Sequence, residues 1–402
     1  MSRWIRRHGP LTLGVLIVVG VVWYIQDYSM DRREIQQIVA NLGQTSMGVE
    51  MFNPGAAAEF GKRAVRPLIQ ALATKKLNAL GQKQAAEALG LIGDAEAVSA
   101  LIQVARQGDP QARDAAVKAL GQIASPEAVH ALLGLLDDPG RRVQAAAALG
   151  EARAAAASSR LLSLLDSKDS KAAAAAAVAL GQIGGSGVAE RLAAHLNDSK
   201  LRLACAIGLT SLQDPRGMPA LIDLLDSPDA AIRQSAALAL KPAGAKAITL
   251  LQPLLEKGPS PARAAAATAL GQIGGKQALD LLIAHLGTED PMVRGAVEEA
   301  LGALGREAVP AVTGAMQSTK PQVRRSAARV LGMIPAKACV EPLIQALRDR
   351  EATVRLEAVR ALGRVGDRRA IRPLQQAQQD PDEAVRKMAR TSCRMMNTRF
   401  GQ

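Results

Sequence analysis

Charged residues recur in register along this chain. Arginine stands at Arg113, Arg142, Arg202, Arg233, Arg263, Arg294, Arg324, Arg355 and Arg386. Six of these follow an aspartate by four residues: Asp109 and Arg113, Asp138 and Arg142, Asp198 and Arg202, Asp229 and Arg233, Asp290 and Arg294, and Asp382 and Arg386. A carboxylate beside a guanidinium is chemistry that an active site can use. A catalytic pair is needed only once, however, and this one is repeated along most of the chain. Structural fastening accounts for the repetition. The aspartate caps a helix start, and the arginine forks to carboxylates of its own or the next repeat. The twelve residues are read as an internal ladder.

Other reactive side chains are few. The histidines are His8, His130, His195 and His285, and none precedes a glutamate. His195 and His285 share one context, Ala-His-Leu, on the surface of a first helix. A two-metal site needs more ligands than that. Cys205, Cys339 and Cys393 are odd in number and form no Cys-x-x-Cys pair, so neither a zinc site nor a dithiol is indicated. Cys205 stands where a sister repeat carries Ala116, which places it in the core. A phosphate-binding loop and a serine nucleophile elbow are both absent from the sequence. The expectation is no catalytic residue, no metal and no cofactor, and a protein that is not an enzyme.

The frame that positions these residues is a repeat. The tripeptide Ala-Leu-Gly, or a variant, places its leucine at Leu89, Leu120, Leu149, Leu180, Leu209, Leu240, Leu270, Leu301, Leu331 and Leu362. The spacing is 29 to 31 residues, and Cys393 takes the next place. A fixed period of this length means a solenoid. Each unit reads as two helices. In residues 97–124 the first helix ends at Gly108, and Asp109-Pro110 opens the second. Asp138-Pro139, Asp290-Pro291 and Asp380-Pro381 repeat the start signal, and Gly184-Gly185 and Gly274-Gly275 the stop. The glycine after the leucine lies inside the second helix, where it costs about 1 kcal/mol against alanine. Close helix–helix approach is the expected compensation. The seven aromatics, 2% of residues, leave 61–399 with none, so the core is built from Ala, Leu, Val and Ile.

The pattern Asp-Pro-x-Val-Arg leading to Ala-Leu-Gly, clearest in Asp290-Pro291-Met292-Val293-Arg294 and Ala300-Leu301-Gly302, resembles HEAT repeats in the short form associated with phycobilisome lyases. The resemblance covers about residues 56 to 396. It implies an all-α fold, an α/α superhelix of about ten to eleven two-helix units. Relatives of this kind include scaffolds, bilin lyases, DNA glycosylases and di-iron deoxyhypusine hydroxylases. Stacked repeats give extended surfaces suited to protein binding, so a protein-binding scaffold is the first expectation. A bilin-lyase-like or deoxyhypusine-hydroxylase-like protein is the alternative.

The net charge of +13 is unevenly placed. Residues 10–319 balance at 29 basic and 29 acidic side chains, whereas residues 320–402 hold 18 basic and 8 acidic. On the last second helices, Arg325, Arg329, Arg360, Arg364, Lys387, Arg390 and Arg394 avoid the apolar face. Such a strip attracts acidic partners, lipid headgroups or polyanions, and the first are the expectation. DNA glycosylase activity is not expected, because base chemistry needs a stacking pocket, and nucleic acid is not expected as a partner of an anchored, exported rod.

Ahead of the repeats, Arg3, Arg6 and Arg7 precede an apolar run from Leu11 to Ile25. Fifteen helical residues span about 22 Å, and the run from Gly9 reaches the low end of a membrane span. The reading is a basic tail over 1–8, a membrane anchor helix contacting the lipid bilayer over 9–28 and a linker with a short helix over 29–55. The solenoid over 56–396 and a tail over 397–402 follow. Arginine bias favours a single-pass protein with a cytoplasmic N-terminus and the bulk in the periplasm or outside the cell.

Overall fold

The computed structural model describes residues 33–46, 49–50, 53–74 and 77–400. Helix 33–40 comes first. Two short antiparallel strands follow, Thr45–Ser46 and Val49–Glu50, with Thr45 opposite Glu50. From Pro54 onward every regular element is helical. The chain divides into two compact halves, Met1–Leu192 and Ala193–Gln402.

In the first half, first and second helices alternate: Lys62–Ala73 with Ala79–Ile92, then Val98–Gln107 with Pro110–Ile123. Pro126–Leu135 with Arg142–Glu151 and Ser158–Leu165 with Ser170–Ile183 continue the series. The second half repeats the scheme. Its second helices are Arg202–Ser211, Ala230–Ala239, Ser260–Ile273, Pro291–Leu304, Pro321–Leu331, Ala352–Val365 and Glu383–Phe400. Within each half, second helices stack on second helices. The marker leucines Leu120, Leu149, Leu270, Leu301, Leu331 and Leu362 are fully buried among alanines and valines.

The glycine after the marker explains the tight stacking. A Cβ at Gly271 would lie 2.7 Å from Cβ of Ala300 on the next second helix. At Gly332 it would lie 2.6 Å from Cβ of Ala361. Gly184 and Gly274 end their helices at φ of 77° and 72°, a region that favours glycine.

Several sequence expectations need correction. Asp138-Pro139 opens a turn and not a helix: Asp138 accepts from the Gly140 N–H, and the helix begins at Arg142. Asp380 likewise accepts from the Asp382 N–H, and that helix begins at Glu383. It runs to Phe400, through the boundary placed at 396. The membrane anchor is withdrawn, and with it the transmembrane part of the fold class, the single-pass localisation and the bilayer as a partner. No helix among the described residues is long and apolar enough to cross a membrane, and 9–28 lies outside those residues. What stands is an all-helical repeat solenoid.

Candidate docking face on the second helices

The ladder is built differently from its sequence pattern. Among the described residues none of the six arginines pairs with the aspartate four positions before it. The aspartates serve local backbone. Asp229 accepts from the Ala231 N–H, Asp290 from those of Met292 and Val293, and Asp382 from those of Ala384 and Val385. Asp198 accepts from Lys200 N–H in a turn, whereas Asp109 makes no capping bond. Asp290 also accepts from the Ser260 hydroxyl, which is the first cause of its lowered pKa.

The arginines reach elsewhere. Arg233 donates to the carbonyls of Ser227 and Pro228, Arg294 to those of Thr288 and Glu289, and Arg386 to those of Asp380 and Pro381. Arg202 pairs with Asp223 at 3.1 Å, and Arg142 approaches Asp169 at 3.9 Å. Arg113 makes no ion pair among the described residues. The tightest rungs involve arginines that have no aspartate four residues before them. Arg324 donates through Nε and Nη2 to both oxygens of Asp349, at 2.7 and 2.8 Å, and through Nη1 to the Ser318 and Thr319 carbonyls. Arg355 does the same toward Asp380, at 2.7 and 2.9 Å. These bidentate pairs hold the carboxyls of Asp349 and Asp380 below the ordinary range.

The basic strip separates into two kinds of residue. Arg329 sits 3.1 Å from Glu298. Arg360 and Arg364 sit 3.5 and 3.1 Å from Glu357. Lys387 pairs with Glu383 on its own helix at 2.6 Å. Arg325, Arg390 and Arg394 make no ion pair among the described residues, and the latter two are exposed. The strip therefore carries less free charge than its composition indicates.

Glu298 and Glu357 escaped the sequence reading. They are only 4% and 3% exposed. Glu298 accepts from the buried Ser326 hydroxyl at 2.6 Å. Burial raises its pKa, and the nearby negative charge of Glu357 adds to the rise; Ser326, Arg329 and Arg294 oppose it. The signal that would have found them is register. Glu298 stands where the neighbouring second helix has Ala267, and Glu357 where other repeats have Ala115 and Ala265. An acid at a buried alanine place is a marked departure.

N-terminal to the strip in the second half, the outward face of the second helices mixes small apolar side chains with polar ones, Arg233, Gln234 and Glu299 among them. A groove of about 440 Å³ opens there, lined by Ala230, Ala237, Pro261, Ala264, Thr268 and Met292 among others. Met292 is 55% exposed.

The described residues contain no group of three or more His, Cys, Asp or Glu that could hold a metal ion. Cys205 and Cys339 are buried and Cys393 is half-buried. Burial pushes the Cys205 thiol up to about 12, and nearby Asp198 adds to the rise. Alkylation needs the thiolate, so iodoacetamide at pH 8 should leave Cys205 unmodified in the folded protein and modify it after unfolding. Mass spectrometry of tryptic peptides reads this directly, and native labelling at Cys205 would refute it.

The sequence profile of HEAT repeats matches residues 65–148, 196–263, 248–328 and 309–394. The chain belongs to the HEAT repeat family. A search of curated proteins finds no match. Among solved structures, human deoxyhypusine hydroxylase is 21% identical, with 75% of this chain and 96% of that one covered at a TM-score of 0.30. An engineered protein is 24% identical, covering 83% and 98% at a TM-score of 0.26. The complex of CpcE and CpcF of phycocyanin lyase from Nostoc is 24% identical, covering 54% and 96% at a TM-score of 0.26. At these values no residue role passes from those proteins to this chain. The expectation of a protein that is not an enzyme is nonetheless withdrawn. The family match describes the repeat fold and not the chemistry, so it decides nothing about catalysis.

Proposed function

We propose that this HEAT-repeat protein is a protein-binding scaffold whose C-terminal repeats dock an acidic partner. Stacked helical repeats offer extended surfaces for protein binding. The observation that carries the reading is the uncompensated charge of Arg325, Arg390 and Arg394 in a segment with 18 basic and 8 acidic residues. Arg329, Arg360 and Arg364 add N–H donors oriented by the buried glutamates. An arginine already held in place loses less side-chain freedom when it binds a carboxylate.

A fluorescein-labelled octaglutamate peptide tests this by anisotropy at low salt. Binding should weaken about tenfold in the triple variant Arg325→Glu, Arg390→Glu, Arg394→Glu, and should weaken with added salt in the natural protein. An affinity that the triple variant leaves unchanged would remove the acidic partner from the reading.

A further inference from the structure

Resting on the reading of the strip as a dock for acidic segments, we infer that docking is coupled to proton uptake at the buried Glu298. An anion seated on Arg329 draws off the guanidinium that neutralises Glu298, solvent supplies a proton to the carboxylate, and the strip grips acidic segments more tightly as the pH falls. Glu298 stands three residues before its marker leucine. In each of the other marker repeats that place holds alanine or valine, buried every time; Ala267, Ala328 and Val359 are the neighbours. A small apolar side chain therefore serves the packing here. A carboxylate in the same place is costly to desolvate unless it is paired.

The pairing of Glu298 reaches the surface. One oxygen accepts from the Ser326 hydroxyl at 2.6 Å, and the other lies 3.1 Å from Nε of Arg329. Arg329 makes no other ion pair among the described residues, and its side chain is 51% exposed. One guanidinium thus meets a buried acid on one side and water on the other. Glu357 is better served, because Arg360 and Arg364 both pair with it. The other charged groups around Glu298 are committed or face solvent. On its own helix, Arg294 donates to the Thr288 and Glu289 carbonyls, and Glu299 is exposed. On the helix Pro321–Leu331, Arg324 is bound to Asp349 and Arg325 is half-exposed. The helix Ser260–Ile273 has one charged residue, Arg263, which donates to the Leu255 carbonyl. Lys276 and Asp280 on the first helix Gly275–Ala284 are exposed, as are Arg306 and Glu307 in the turn Gly305–Ala308.

Electrostatics fixes the sign. An anion brought to Arg329 places negative charge near Glu298 and shares the one ion pair that Glu298 has. Both effects favour the protonated form of Glu298. By linkage, if binding makes Glu298 easier to protonate, protonating Glu298 makes binding tighter. Ser326 suits both states, because a hydroxyl donates to a carboxylate and accepts from a carboxylic acid. Burial already pushes Glu298 toward protonation, and Arg329 is among the groups that oppose it. At neutral pH Arg329 is divided between Glu298 and a partner; in mild acid it is released to the partner.

A peptide whose own charge does not titrate isolates the effect. Octacysteate, amidated at its C-terminus and labelled with tetramethylrhodamine, keeps its sulfonates ionised from pH 7 to pH 5. Unperturbed glutamates, with a pKa of about 4.3, stay largely ionised over the same window. Anisotropy with the full chain at low salt should show affinity rising about fivefold from pH 7 to pH 5. Glu298→Gln keeps the size and hydrogen bonding of the neutral carboxyl. It should bind at pH 7 as the natural protein does at pH 5, with a flat profile. Arg329→Gln should bind more weakly through the remaining arginines and also lose the pH dependence. Its side chain is half-exposed, so this variant reports even where Glu298→Gln fails to fold, with circular dichroism as the check on both. A flat profile in the natural protein overturns the inference and leaves the acidic-partner reading in place. So does a rise that survives in either folded variant, as charging of His130, His195 or His285 would give. If octacysteate does not bind at any pH, the strip takes no acidic segment and both readings fail.

Discussion

Arg324→Met is expected to destabilise the second half of the protein by about 3 kcal/mol at pH 7. The Arg324 and Asp349 side chains are only 8% and 12% exposed. Two charge-assisted bonds join them, and a further two tie Arg324 to the Ser318 and Thr319 carbonyls. Methionine keeps the length and apolar stem of arginine but removes all four. Asp349 then keeps its charge in a nearly dry place with one backbone donor, the Glu351 N–H. Removing one partner of a buried pair is costly for this reason; replacing both is cheaper. The double variant Arg324→Met, Asp349→Leu should therefore recover part of the loss. In a solenoid each repeat leans on its neighbours, so amide exchange in 340–400 should accelerate in the single variant. Urea unfolding followed by circular dichroism measures the rest. A loss under about 1 kcal/mol would place the pair among the weak surface bridges.

The effect has a defined pH dependence. Asp349 has a folded pKa below its unfolded value, chiefly because Arg324 donates to it. Its stabilisation is present above the unfolded value, about 3.9, and is lost as pH falls through the folded one. The gap between natural protein and Arg324→Met should therefore narrow on acidification below about pH 4. Glu298 acts in the opposite sense. Its folded pKa is raised by burial, so its contribution is complete at low pH and is lost as pH rises through the folded value.

The sequence made the repeat legible because its register is carried by one residue type at one spacing, and every marker leucine tested by burial is in the core. It made the ladder only half legible. Asp290 and Arg294 sit close in sequence, so they read as a pair, yet a bidentate contact depends on where the next repeat is placed. Arg324 finds Asp349 at a separation of 25 residues, across the connection between two units. No local pattern encodes that distance. The strip was legible as charge and not as free charge. Arg329 reads as a lone cation until Glu298, 31 positions earlier, proves to lie beneath it. The groove was least legible, because an alanine such as Ala264 carries no group that marks a surface, and only the structure separates the alanine that is covered from the one that faces outward.

Adding a side chain should have opposite effects at two glycines of neighbouring second helices. Gly271→Val is expected to cost about 3 kcal/mol. A Cβ there would lie 2.7 Å from Cβ and 2.9 Å from Cα of Ala300, so the clash is with backbone as well as with a methyl. Backbone cannot rotate away, and two stacked helices must separate. Alanine at Gly271 would gain about 1 kcal/mol in helix propensity and still be opposed by the same overlap. At Gly295 no neighbour lies within 4 Å, so Gly295→Ala should stabilise by about 0.5–1 kcal/mol. A double-mutant cycle isolates the contact: Ala300→Gly removes the methyl that Gly271→Val strikes, so the pair should lose less than the sum of the singles. Thermal or urea unfolding of the natural protein and the five variants reads all of these signs. Additive singles would mean that the glycine is kept for a reason other than room for Ala300.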